Sequence, residues 1–218
     1  MNDNYYGRRS ELLQFVPQQI GDVLDVGCGA GDFFTALKSG DFEIRSLTGI
    51  EPLTDIAAKA KLQHADACIF QGLFDEIVLN RTFDTIFFND SLEHMVDPYK
   101  TIDIARQLLK PQGKIICSIP NFLYAPSVAK IILTRDFRYL ESGIMDKTHL
   151  RFFTRKSAER LVEMAGLKLK VVAGINDYIR RPWKIHQAIP LAILAITAPL
   201  LFGLDSRYMQ ILVIAENS

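Results

Sequence analysis

The chain has 218 residues, near the upper end for one compact domain and enough to bury a sizeable core without staples. Its 25 basic and 25 acidic side chains cancel, so no global field draws it onto nucleic acid and any partner is recognised locally. The three cysteines, Cys28, Cys68 and Cys117, form no close pair and have no histidine at zinc-ligand spacing, so reduced thiols, a cytoplasmic setting and no metal are expected.

The opening MNDNYYGRRSELLQFV is polar and lacks the apolar core of a signal peptide. DVLDVG (22–27) then reads as a buried strand and FFTALKSG (33–40) as a short helix stopped by Gly40. EIRSLTGIE (43–51) is the next strand and LTDIAAKAKL (53–62) the next helix. Strands at 65–70 and 83–89 flank a helical segment expected near 73–79. Asp97-Pro98 opens a helix through Leu109, which Lys110-Pro111-Gln112-Gly113 stops before the strand KIICSIP (114–120). Residues 121–150 break this rhythm and read as an irregular or partly helical insertion. A helix near 155–165 stopped by Gly166, a strand at 167–173 and the late strand YMQILVIAE (208–216) complete the chain. Strands alternating with helices predict a mainly parallel sheet covered on both faces, with ligands beyond the carboxyl ends of its strands. The whole chain, 1–218, is expected to form one domain.

VLDVGCGAG places Gly27, Gly29 and Gly31 between a strand and a helix, where missing side chains let backbone approach a ligand and a helix N-terminus offers free N–H groups. The spacing departs from the dinucleotide pattern G-x-G-x-x-G, because the third glycine comes one residue early. Asp25, near the end of a buried strand, suits a ligand bearing a positive amino group. Glu51, at the end of the next strand, can accept hydrogen bonds from two ribose hydroxyls. Together they describe a nucleoside joined to an amino acid.

With these motifs the chain resembles the class I S-adenosylmethionine-dependent methyltransferases. VLDVGCGAG is similar to their first motif, GIEP to the second with Glu51 as the ribose acid and Pro52 beside it, and FDTIFFNDSLEHMVDP to the fourth. LLKPQGKIICSIPN looks like the turn and strand that follow, so the resemblance spans roughly residues 20–120. It implies an α/β fold, Rossmann-like, with a seven-stranded mainly parallel sheet whose last strand is antiparallel. It implies S-adenosyl-L-methionine as cofactor, with its methionine part near Asn89 and Asp90; a turn or helix cap is the plainer role for Asp90. Many relatives carry an aspartate for the adenine amino group after the third strand, where this chain has QGLFDE. Backbone of Gly72 and Leu73 with stacking by Phe74 is expected instead.

The sulfonium of such a donor is already activated, so transfer needs alignment and exclusion of water, and a hydroxyl acceptor also needs a base. Of the four histidines, His64 reads as surface, His94 follows the fourth strand at the ligand edge, and His149 lies in MDKTHLRFFT. That segment resembles one in methyltransferases of bacterial surface-glycan and quinone-type pathways, in which Thr154 would cap the following helix. His94 and His149 are the candidate bases; pinning of the insertion through backbone hydrogen bonds from His149 and Arg151 is the structural alternative.

The insertion 121–150 leaves the sheet at its ligand edge and is expected to form an acceptor-side lid. Tyr124, Arg138, Tyr139 and Arg151 are its candidate acceptor contacts. Residues 184–205 carry no formal charge beyond their two ends; packed helices, peripheral lipid contact at the inner face of the membrane, and a spanning segment are the three readings of that run. The expected activity is methyl transfer to an oxygen of a saccharide or saccharide-like small-molecule acceptor, lipid-linked or free. The alternatives are a quinone or other apolar small-molecule acceptor, and a non-catalytic S-adenosylmethionine-binding partner subunit. No nucleic-acid partner is expected, since no N-P-P-Y run follows the fourth strand.

Overall fold

The computed structural model of the protein describes residues 9–180 and 197–218. Seven strands, β1 (Gln19–Val26), β2 (Glu43–Glu51), β3 (Cys68–Gln71), β4 (Phe83–Asn89), β5 (Leu109–Pro120), β6 (Lys168–Asp177) and β7 (Tyr208–Glu216), form one sheet in the order β3-β2-β1-β4-β5-β7-β6. Strands β1 to β5 pair in parallel and β7 lies antiparallel between β5 and β6. The expected Rossmann-like architecture, with YMQILVIAE as the antiparallel strand, is therefore present.

Helices α1 (Asp32–Ser39), α2 (Thr54–Gln63), α3 (Pro98–Gln107) and α4 (Ala125–Thr134) come after β1, β2, β4 and β5, and α5 (Arg155–Met164) comes between α4 and β6, as crossovers between parallel strands require. Strand alternation divides the core in two. Leu24, Ile86, Phe88 and Ile115 meet α3 and α5 through Ile102, Ala105, Leu161 and Val162. Val23, Phe87 and Ile116 meet α1 and α2 through Phe34, Leu37 and Ala57. Asp25 shares the second face with Val23 by the same alternation, which brings its carboxylate to the start of α1.

Two expected boundaries are corrected. No helix forms over 73–79: Gly72 has φ 144°, and Phe74, Ile77 and Leu79 reach the core from a turn and an extended run rather than from one helical stripe. Strand β5 begins at Leu109 rather than 114, because Pro111 is absorbed in an irregularity between the pairs Phe83↔Leu109 and Thr85↔Lys114. Asn217 closes that turn, donating to Gly113 O at 2.8 Å and accepting from Gln112 N at 3.2 Å.

Thr154 caps α5 as expected. Its hydroxyl accepts from Ser157 N at 3.4 Å, while its own N–H donates to Ser157 Oγ at 2.8 Å. Two orphan donors of the first turn are thereby satisfied. Thr154→Ala should lower stability by about 1 kcal/mol, read as a lower urea midpoint at unchanged slope; an unchanged midpoint would deny the cap its role. Most of the 184–205 run lies outside the described residues. Among the described residues no helix is long and apolar enough to cross a membrane.

Candidate active site

The turn after β1 is hooked onto the neighbouring strand: Gly27 N and Cys28 N both donate to Ile50 O, at 2.8 and 3.0 Å. Gly27 has φ 80° and Gly29 φ 56°, conformations that favour glycine. Their roles differ. A Cβ on Gly27 would sit 2.9 Å from Ser91 Cβ, whereas a Cβ on Gly29 would meet nothing within 4 Å. Gly27 lets two loops pack, and Gly29 borders open space. A Cβ on Gly31 would lie 2.4 Å from the His64 ring, so this glycine also serves packing. His64 is buried against Phe34 with ring centroids 5.5 Å apart, which corrects its reading as a surface residue.

Gly29 opens onto a cavity of about 260 Å³ beyond the ends of β1 and β4, lined by Asp25, Phe33, Asn89, Asp90, His94 and His149 among others. Asp25 is buried, and burial pushes its carboxyl up to about 7, with nearby Glu51 adding and Arg9 opposing. Asn89 Nδ2 is 3.5 Å from Asp25 Oδ1, and Asn89 Oδ1 is buried with no hydrogen-bond partner. Glu51 is clamped by backbone: Oε2 accepts from Gly29 N at 3.1 Å and Oε1 from Leu53 N at 3.0 Å. These groups fit S-adenosylmethionine, since a buried carboxylate with no ion pair among the described residues faces the cavity, an amide oxygen there lacks a donor, and a glycine leaves backbone bare beside them.

Glu51, Pro52, Gly72 and Leu73 lie at the ends of β2 and β3 and do not border the cavity; Gly72 N donates to Glu51 O at 3.1 Å. Phe74 does not stand there: it is 4% exposed and packs edge-on against Phe88 at 5.9 Å. Its expected stacking on adenine is corrected to a core role, and Leu73, 49% exposed, is the side chain that faces outward. Asp90 borders the cavity with φ 50°, but its carboxylate is held by Arg9 and by Gln210 Nε2 at 2.6 Å. The turn reading therefore describes it best. Arg9 also donates to Ser118 Oγ at 2.9 Å and lines the cavity. An arginine in a polar opening segment, next to Arg8, gives no periodic or motif signal by which the sequence could reveal it.

At the far end of the cavity the insertion meets the loop after β4. Leu150 N and Arg151 N both donate to Glu93 O, at 2.8 and 3.0 Å. The Arg151 guanidinium donates to Leu150 O at 2.9 Å and to Val96 O. Arg151 thus pins the loop, and its expected acceptor contact is corrected. Tyr124 packs on Tyr178 at 5.7 Å, Tyr139 is 56% exposed beside Phe137, and Arg138 is exposed. None of these three borders the cavity; Gly143, Asp146 and Thr148 do so instead, without having stood out in the sequence.

His94 and His149 come together, ring centroids 4.9 Å apart at 71°. Each ring is oriented by a backbone carbonyl: His94 Nδ1 lies 3.1 Å from Thr148 O, and His149 Nδ1 lies 3.1 Å from Ile144 O. A carbonyl only accepts, so both Nδ1 atoms carry the proton and the lone pair remains at Nε2. Burial lowers the His149 pKa below the usual imidazole value and so favours the neutral ring. Glu93 Oε1 is 3.9 Å from His149 Nε2. Burial foremost, and the negative charge of Asp90 next, raise the Glu93 carboxyl well above the usual range.

A family described as "Methyltransferase domain" matches residues 4–171. The ubiquinone biosynthesis O-methyltransferase of Coxiella burnetii is 30% identical over 175 residues, covering 75% of this chain and 72% of that protein. The 27-O-demethylrifamycin SV methyltransferase of Amycolatopsis mediterranei is 25% identical over 181 residues, covering 79% and 63%. Among solved structures, a SAM-dependent methyltransferase from Archaeoglobus fulgidus superposes with a TM-score of 0.65 at 16% identity, over 95% of this chain and 92% of that one. The ordered motifs, the sheet order, the buried Asp25 beside a bare glycine turn and the match over most of the chain agree: the chain belongs to the class I S-adenosylmethionine-dependent methyltransferases.

Proposed function

We propose that this methyltransferase modifies a hydroxyl oxygen on a small, flat, apolar acceptor of the quinol or phenol class. The observation that carries this reading is the pair of imidazoles at the acceptor end, each with Nδ1 tied to a carbonyl and Nε2 left basic. A hydroxyl must lose its proton to attack carbon, whereas an amine or thiolate acceptor needs less help. Two relatives with O-methylating or hydroxyl-directed names support an oxygen target. The quinone-directed name of one of these relatives supports a flat, apolar acceptor. The saccharide reading loses its proposed contacts, because Tyr124, Arg138 and Tyr139 stand away from the cavity.

Bound S-adenosylmethionine supplies an activated methyl group. In this reading Asp25 receives its ammonium, Glu51 accepts from the ribose hydroxyls, and the Gly29 backbone permits close approach. Residues 121–150 act as the lid that excludes water, anchored by Leu150 and Arg151 on Glu93. Purified protein with S-adenosylmethionine should convert hydroxylated quinols or catechols to methyl ethers detectable by mass spectrometry, and leave nucleotide sugars untouched. His149→Ala should lower kcat by about 10²-fold or more at unchanged cofactor affinity. Methylation of sugars alone, or undiminished turnover in the variant, would overturn the reading.

A further inference from the structure

The geometry points to a divalent transition-metal site formed by Glu93, His94 and His149, open toward the acceptor. One ligand atom from each lies within 4.8 Å of the other two. The residues come from two separate segments, the loop after β4 and the end of the insertion, and all three line the cavity, Glu93 buried and His94 exposed.

Three independent features separate this cluster from a chance grouping. Glu93 is 1% exposed, and both of its carboxylate oxygens are buried with no hydrogen-bond partner. Buried carboxylates are paired, protonated or bound to a metal, because desolvating an unpaired charge costs too much. Both histidines donate Nδ1–H to backbone carbonyls, which is how metal-ligating imidazoles are ordinarily oriented and held in the correct tautomer. The ligand set itself, two imidazoles and one carboxylate, suits zinc, iron(II), cobalt(II) or manganese(II) and leaves coordination positions free for a substrate oxygen. With metal–ligand bonds of about 2.1 Å, tetrahedral ligand atoms stand about 3.4 Å apart. His149 Nε2 stands 3.9 Å from Glu93 Oε1 and the ligand atoms of the trio lie within 4.8 Å of one another, so closing on a cation needs inward movements of about 0.5–1.4 Å.

The cation gives the acceptor end its chemistry. With the cation bound, the histidine lone pairs would hold the metal instead of acting as a base; a free coordination position would take the acceptor hydroxyl and make it more acidic, and its proton would leave to water in the open cavity. An oxygen lone pair then forms the bond to the methyl carbon as the carbon–sulfur bond breaks, and that electron pair remains on sulfur and neutralises the sulfonium. The proposal rests on the O-methylation reading for what binds the cation, but not for the cation itself. Sequence inspection passes the site over because no two of its ligands have a recognisable metal spacing.

Tag-free protein, stripped with a chelator and dialysed, is titrated with cobalt(II) alone, following heat and visible absorption. Uptake of one cobalt per chain is expected, with ligand-field bands of a nitrogen–oxygen site. Glu93→Gln should weaken uptake about a hundredfold or more while S-adenosylmethionine affinity and the melting temperature show that the fold is kept. Absence of stoichiometric uptake by the wild-type chain would overturn the proposal, as would equal uptake by Glu93→Gln; either result would assign the cluster to a shared proton. Failure of quinols as acceptors would leave the cobalt titration standing, so the two readings fail separately.

Discussion

The affinity for S-adenosylmethionine should fall about tenfold for each pH unit below 7, and the fall should vanish in Asp25→Asn. Burial holds the Asp25 carboxyl at about 7 in the ligand-free protein, with Glu51 reinforcing the shift and Arg9 and Asn89 opposing it. Below that pH the group is neutral and cannot pair with an ammonium. Binding the cationic amino acid part of the cofactor must then expel a proton, so log affinity rises by one per pH unit until the carboxyl is already ionised, and then levels off. The same shift has the opposite sign for stability. The native carboxyl binds its proton more tightly than the unfolded one, whose pKa is 3.8. Its contribution is fully present below that value and is lost as pH rises to about 7, a penalty on the order of 4 kcal/mol. Asp25→Asn should therefore melt several degrees higher at pH ~8 while binding the cofactor weakly at every pH. Calorimetry across pH ~5.5 to ~8, with melting curves of both proteins, checks the pair of effects. A flat affinity profile in the wild type would remove Asp25 from the ammonium site.

How much of this was legible beforehand follows from where the physical signal is local. Apolar runs bounded by glycine and proline mark the strands, and β2, β4 and β7 coincide with the bounds expected from sequence. Thr154 is legible because a cap and its partner lie three residues apart. The helix expected at 73–79 fails because short apolar spacing there serves an extended run, a difference only tertiary packing decides. Phe74 illustrates the same limit: an aromatic residue at a ligand edge and one in the core look alike until Phe88 is placed against it. The acceptor side was the least legible. Aromatic and arginine residues of the insertion were chosen for chemistry they could do, yet folding sends Arg151 to carbonyls and Tyr124 to Tyr178. The convergence of Glu93, His94 and His149 depends on a long-range dock of the insertion onto the β4 loop, which no local pattern announces. His149 is pinned through Nδ1, and its Nε2 is left for the role proposed above.

Gly29→Val should abolish measurable cofactor binding, and Glu51→Ala should weaken it by about 10²-fold, for different physical reasons. At Gly29 the ligand-free protein offers no atom within 4 Å of a new Cβ, so no clash forbids the valine and its bulk goes into the space the cofactor needs. The residue sits at φ 56°, and a β-branched side chain there costs about 1–3 kcal/mol of stability. The variant should therefore still fold, with a lower melting temperature. Glu51 acts through both of its oxygens, accepting from Gly29 N and Leu53 N, beside the place proposed for the ribose. Alanine removes the ribose acceptor and also orphans two backbone donors that hold the glycine turn against β2. Glu51→Gln separates these roles, since one amide oxygen still accepts from one of the two donors. It should recover part of the binding lost in Glu51→Ala, whereas Gly29→Ala should recover little over Gly29→Val, because any Cβ at that φ is strained and enters the cavity. Calorimetric titration of the four variants with S-adenosylmethionine decides the matter: wild-type affinity in both Gly29→Val and Glu51→Ala would move the cofactor away from the glycine turn altogether.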